Sequence, residues 1–259
     1  MHPRRRHQFA AKAITVSWIL AICVCAVVTC RAQTSPRVVI RDDVPLKHRT
    51  ELLLRLRAIS GWSDLRFDNR GALRWTTEDF TGGSKSARAL LTQAAGGNDL
   101  IVLEDASSRS DVAFCRVIPG RLLAQEQRSV RAFVVLIDFN DFRQISGDQQ
   151  ARAAFDVGWA VLHEVHHVVN DSEDAQSITE VGACERDINT MRFELGLPIR
   201  ATYYFSRLPA KVNPEFQSRL VRLAFEKHDE ATNRTRRYWL VWDAMSVGGL
   251  VQGQTAVLR

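Results

Sequence analysis

From Val157 to Leu162 the chain carries no charged residue, and His163-Glu164-Val165-His166-His167 follows at once, before Val168 and Val169 restore the apolar character. Few folds accommodate three histidines and a glutamate inside an apolar helical segment. A polar group taken out of water without a partner is costly. The segment must therefore turn these groups to solvent or supply something that satisfies them, and its apolar flanks on both sides argue for the second. Residues four apart on an α-helix share a face. His163 and His167 can thus aim two imidazoles at one point, with Glu164 beside it. A divalent cation satisfies that arrangement, because zinc takes neutral nitrogen ligands and keeps a position open in catalytic sites. In the His-Glu-x-x-His spacing the carboxylate takes a proton from a zinc-bound water, which then attacks a carbonyl. His166 lies off this face and is expected to be a neighbouring group.

Residues 148–204, about a fifth of the chain, resemble the core of zincin metallopeptidases, most closely the gluzincin type. Beyond the HExxH, the resemblance rests on Glu180, followed by the small residues Gly182 and Ala183 and then by the acidic Glu185 and Asp187. It implies Zn²⁺ held by His163, His167 and Glu180, with Glu164 as general base and then general acid. Asp187 or Glu185 would hold an imidazole N–H from behind. Glu173 is an alternative third ligand, six residues past His167, where the metzincin pattern normally has His or Asp. Glu185 is the next alternative. Asn189-x-x-Arg192-x-Glu194-Leu195-Gly196-Leu197-Pro198-x-Arg200, with Tyr203 and Tyr204 after it, is similar to a segment found in some bacterial metallopeptidase-like effectors and toxins. A peptidase also needs a donor for the oxyanion. Tyr203, Tyr204 and His228 are candidates, and Tyr204 is taken as the catalytic one. The resemblance further implies a small sheet before the motif helix, whose edge strand binds substrate backbone by strand addition.

The net charge of +6 suggests a polyanion partner until its location is considered. Residues 1–32 hold five basic residues and no acidic one, which leaves 30 basic against 29 acidic in the remainder. No nucleic-acid footprint survives. The same 32 residues read as an export signal: Arg4, Arg5 and Arg6, then 16 uncharged residues from Ala13 to Val28, then Cys30-Arg31-Ala32 as a cleavage site. Retention as a membrane anchor is the alternative. Export places Cys115 and Cys184 in an oxidising space, where they form either one disulfide or two small buried residues.

Residues 33–259 read as one α+β domain, sheet-rich over 33–147 and mainly helical over 148–259. Helices are expected at 46–59, 84–95, 148–169, from Ser172 or Asp174 to about 195, and at 214–227. Strands are expected at 65–67 and 72–75 as a hairpin, at 100–103, 112–117, 132–139 and 238–242. The Gly82-Gly83-Ser84-Lys85 stretch lacks a phosphate-loop frame and reads as a turn with a helix cap. The function that follows is an exported zinc-dependent hydrolase acting on peptides or proteins. The rival is an inactive metal-binding or envelope interaction module on the same scaffold.

Overall fold

The computed structural model describes residues 37–76, 79–107, 109–120, 123–125, 128–208 and 218–248. The expected export signal lies outside them. In chain order the elements are β1 (Val38–Ile40), α1 (Leu46–Ser60), β2 (Arg66–Phe67), β3 (Leu73–Arg74), α2 (Lys85–Gly96), β4 (Leu100–Asp105) and β5 (Cys115–Pro119). There follow β6 (Leu123–Gln125), β7 (Arg128–Val130), β8 (Ala132–Ile137), β9 (Ser146–Gly147), α3 (Gln149–Ala153), α4 (Val157–Asn170) and α5 (Ala183–Glu194). The last are β10 (Ile199–Arg200), β11 (Ser206–Arg207), β12 (Leu220–Asp229) and β13 (Arg234–Asp243). The α+β class holds.

The first sheet runs β1–β4–β8–β5, with the first three strands parallel and β5 antiparallel at the edge. The Ala132–Ile137 run, the most apolar strand in the sequence, occupies an interior place because parallel strands are covered on both faces. Val135 and Ile137 enter the main core, while Leu136 packs on the opposite side with Ala106 and Val112. On the core side α4 lies against α1, α2 and β5. Its Trp159, Leu162 and Val165 meet Leu52, Leu56 and Ile59 of α1 and Leu90 and Leu91 of α2 in that core. The hairpin of β2 and β3 turns through Asp68, whose carboxylate accepts from the N–H groups of Arg70 and Ala72, both at 2.9 Å. Ser84 caps α2, as the turn-and-cap reading requires.

The second sheet orders β10–β12–β13–β9, with β11 also on β12. It corrects the expectation of a mainly helical 148–259: past Glu194 the regular structure among the described residues is all strand. Residues 220–227, read as part of a helix, belong to β12. Val221, Leu223 and Phe225 alternate into a core shared with Leu240 and Trp242 of β13. Leu220, Leu223, Ala224 and Lys227 also fit a helical spacing, so local periodicity alone does not separate the two. The long ladder with β13 decides it. The helix expected over 148–169 is two helices, because Asp156 turns its carboxylate on the N–H groups of Gly158 (2.9 Å) and Trp159 (3.3 Å) and starts α4 afresh.

Cys115 and Cys184 are free thiols, so the disulfide alternative falls. No helix among the described residues is long and apolar enough to cross a membrane. Leu162 is fully buried on α4. Leu162→Ala is expected to lower stability in urea titrations by about 2–5 kcal/mol, the range for a cavity in a packed core. A loss under about 1 kcal/mol would contradict the close packing of α4 in this core.

Candidate metal centre

The helical spacing does on α4 what elementary geometry requires. The Nε2 atoms of His163 and His167 approach to 3.1 Å. Asp174 Oδ1 completes a triangle, 3.0 Å from His163 Nε2 and 3.2 Å from His167 Nε2. The far side of each ring fixes its tautomer. His167 Nδ1 lies 2.6 Å from the carbonyl of Ser172, which only accepts, so this nitrogen carries a proton. His163 Nδ1 faces Glu185 Oε2 at 3.2 Å and Cys184 Sγ at 3.4 Å, whose thiol donates to the His163 carbonyl, so a proton at Nδ1 suits both. With both protons at Nδ1, neutral imidazoles turn two Nε2 lone pairs and a carboxylate oxygen to one point. Three acceptors converge there with no donor between them unless the rings take up extra protons. Ligands on a tetrahedral zinc lie about 3.3–3.5 Å apart. The triangle needs to open by only about 0.2–0.4 Å to meet that spacing, so the donor set fits the ion.

The metal-free cluster solves the same problem with protons. Burial by itself lowers the affinity of His167 for a proton, but the hydrogen bond to Asp174, with Cys184 and the Ser172 carbonyl, outweighs it and lifts the group to about 10. His163 is also raised against the effect of its burial, by Asp174, Cys184 and Glu185. Burial works against the Asp174 carboxylate, yet the two imidazoles and the Tyr203 hydroxyl hold it well below the usual range.

Asp174 stands on the loop between α4 and α5, and this loop corrects two expectations. The helix foreseen from Ser172 or Asp174 starts only at Ala183, because neither residue is used as a cap. Ser172 Oγ bonds His166 Nδ1 at 2.7 Å, and Asp174 serves the histidine pair. Asp171 ends α4 at φ 47 and redirects the chain. Gly182 closes the loop at φ 79, where a Cβ would stand 2.5 Å from Ala175 N. Glu180, the expected third ligand, is exposed on this loop, and its backbone N–H donates to Ser177 O. Glu173, also exposed, accepts from Gln176 at 2.9 Å. Asp174, rather than either glutamate, lies against the histidine pair. It lies one residue beyond the Glu173 position and was missed because it read as a helix cap.

Behind His163 lies a buried ionic network built from the second motif. Glu185, 1% exposed, accepts from His163, from Arg192 and from Arg200 Nη1 at 3.1 Å. Arg192 also donates to the Ala154 carbonyl (2.8 Å) and to Asn189 Oδ1 (2.8 Å). Asn189 reads both polar groups of the Arg200 backbone, at 2.8 and 2.9 Å. Burial opposes the charge on Glu185, and the two guanidiniums overcome it and hold the group below its usual range. Asp187 serves His166 instead, at 2.8 Å.

Glu164 Oε2 accepts the Val117 N–H of edge strand β5 at 2.9 Å. Burial raises the Glu164 carboxyl, with His163 and His167 pulling the other way. Of the two tyrosines, Tyr203 stacks on the His163 ring at 6.1 Å between centroids. Tyr204, expected to be catalytic, spends its hydroxyl on the Ala175 carbonyl at 2.6 Å and pins the loop. His228 is exposed on β12. Cys184 sits on the Nδ1 side of His163, with Sγ 3.4 Å from that nitrogen. Its Sγ and one nitrogen each of His163 and His167 lie within 4.8 Å of one another. Comparison with family models, curated proteins and solved structures finds no match to this chain.

The protons of the metal-free cluster give a test. The raised His167 stabilises the fold fully below about pH 6.5, the ordinary imidazole value, and this contribution is lost as pH climbs through about 10. The lowered Asp174 contributes above about pH 3.9 and fails only in stronger acid. Thermal melts of metal-stripped protein should therefore fall from pH 6.5 to pH 10, and saturating zinc should offset the fall. Melts independent of pH over that span would contradict the hydrogen-bond assignment.

Proposed function

We propose that the chain is an exported zinc-dependent hydrolase of zincin type, acting on peptide bonds. The observation that carries this reading is the triangle of His163 Nε2, His167 Nε2 and Asp174 Oδ1 beside the Glu164 carboxylate. His163, His167 and Asp174 would hold Zn²⁺. When bound, zinc supplies Lewis acidity, lowering the pKa of water and polarising a carbonyl.

The chain's own residues perform the rest. Glu164, next to the ligands and desolvated, accepts the proton of the attacking water and returns it to the leaving amine. Ser172 O and Glu185 keep each imidazole in the tautomer that presents Nε2. Among the described strands β5 pairs with β8 alone, and its Val117 N–H holds Glu164, which sets the base beside the strand that a substrate would join. Tyr203, whose hydroxyl bonds Asp174 beside the ligand cluster, would serve as oxyanion donor on leaving that carboxylate for the substrate. Export rests on the basic and apolar pattern of residues 1–32.

Two substitutions separate the ligand assignments. Asp174→Ala should weaken zinc binding by about a hundredfold, whereas Glu180→Ala should leave it unchanged, as read by competition with a fluorescent chelator. Glu164→Gln should keep the zinc and lower kcat on a peptide library by about 10²–10⁴-fold. Equal turnover by Glu164→Gln would overturn the mechanism.

A second reading is favoured by Cys184. A Cys184 thiolate with His163 and His167 is a donor set of the kind that holds structural zinc. The protein would then bind metal without turnover, as an interaction module. On that reading Cys184→Ser releases the zinc; on the first it does not.

A further inference from the structure

Resting on the peptidase reading, we infer that the cavity beside His163 and Glu164 receives a bulky uncharged side chain of the substrate, and that Phe114, held in place by Asp141, sets its size limit. The cavity has a volume of about 410 Å³. That lies within the range for sites that enclose a small ligand. Phe114, Phe155, Trp159, Phe205, Leu223 and Trp242 are among its walls. The guanidiniums and carboxylates that line it cancel: Arg116, Arg192 and Arg200 stand against Asp111, Glu164 and Glu185. A guest carrying a charge of either sign would leave water for a site with no unmatched counter-charge, which is costly. A guest carrying apolar surface meets no such cost and gains from its burial.

Phe114 is the wall residue with the unusual backbone. Its φ is 60, and the Cys115 N–H returns to the Ala113 carbonyl at 2.7 Å, closing a γ-turn around it. Of the two γ-turn forms this is the rare, strained one. Strain of this kind persists only where neighbours over-determine it, and it gathers at ligand clamps and active sites. Here the neighbours are named. Asp141, 3% exposed, accepts the Phe114 N–H at 2.8 Å, and the Asp138 N–H donates to the Phe114 carbonyl at 2.8 Å. The ring meets Phe155 and Trp242 edge-on, at 5.2 and 5.5 Å between centroids, and Phe142 at 5.3 Å. The turn leads directly into β5, whose Val117 N–H holds Glu164. One short segment thus fixes both the cavity wall and the base beside it.

The probes are N-acetyl-Ala-Ala amide and its analogues with Phe, Trp, Glu or Lys in second place. Their affinities are measured by calorimetry on the metal-stripped full chain, which keeps Glu164 and the charge balance of the walls. The Phe amide should bind about tenfold tighter than the Ala, Glu and Lys amides, the scale set by burying one aromatic ring. Phe114→Ala enlarges the cavity and should raise the ratio of Trp to Phe affinity about fivefold. Asp141→Ala frees the turn and should lower the ratio of Phe to Ala affinity about threefold. Asp141→Asn, whose amide oxygen can still accept the Phe114 N–H, should keep that ratio. Affinities within about twofold across the probes, or tightest binding by the Glu or Lys amide, would overturn the inference. So would a ratio of Trp to Phe affinity unmoved by Phe114→Ala, and equal losses in the two Asp141 variants would overturn the role given to Asp141. Its fate is separable from that of the peptidase reading. Selective binding of the Phe amide with no hydrolysis by the zinc-loaded chain sinks only the latter; hydrolysis with no selectivity among the probes sinks only the former.

Discussion

Glu185 is a carboxylate with almost no access to water, and the centre depends on its being charged there. Removing such a group from solvent costs several kcal/mol unless it is fully hydrogen-bonded. Two guanidiniums and one imidazole N–H meet that demand. The consequence reaches the other side of the ring: a proton fixed at His163 Nδ1 leaves Nε2 as a lone pair. The orientation of a candidate ligand is thus set from behind by an ion network joining α4, α5 and the strand that follows. Replacing Arg192 or Arg200 would strand a buried charge, and its effect would appear at the histidines.

The loop from Asp171 to Gly182 supplies the other half of the arrangement. It has no regular structure, yet nearly every polar group in its first part is assigned. Ser172 holds His166 with its hydroxyl and His167 with its carbonyl, and Asp174 bridges the two facing imidazoles. Tyr204 fastens the following residue. The left-handed turns at Asp171 and Gly182 let the chain leave one helix and meet the next without adding a helical turn between them. A loop bound at this many points can place a carboxylate as accurately as a helix can.

Much of this was legible in the sequence, for reasons that can be named. The helical pairing of His163 with His167 follows from a fixed geometry, and the apolar flanks of α4 announced its burial. The strand at Ala132–Ile137 and the cap at Ser84 rest on equally local rules. The third carboxylate was not legible. Asp174 looks like any residue able to cap a helix, and only the path of the loop shows that it has another task. Tyr203 and Tyr204 lie in the bend between β10 and β11, where no local pattern tells which ring faces His163 and which hydroxyl meets the loop. Residues 220–227 fit two periods, and only their ladder with the next strand, β13, resolves them. The motif from Asn189 to Arg200 was recognisable as a pattern, whereas its work of neutralising Glu185 is a three-dimensional fact.

Whether His163, His167 and Asp174 hold zinc is read most directly by zinc K-edge X-ray absorption on the reconstituted, tag-free chain. The expected spectrum has one zinc per chain, two imidazoles and light oxygen scatterers at about 2.0–2.2 Å, with no sulfur shell. A sulfur shell near 2.3 Å would place Cys184 on the metal and contradict the open, catalytic site. Failure to retain stoichiometric zinc would remove the centre altogether.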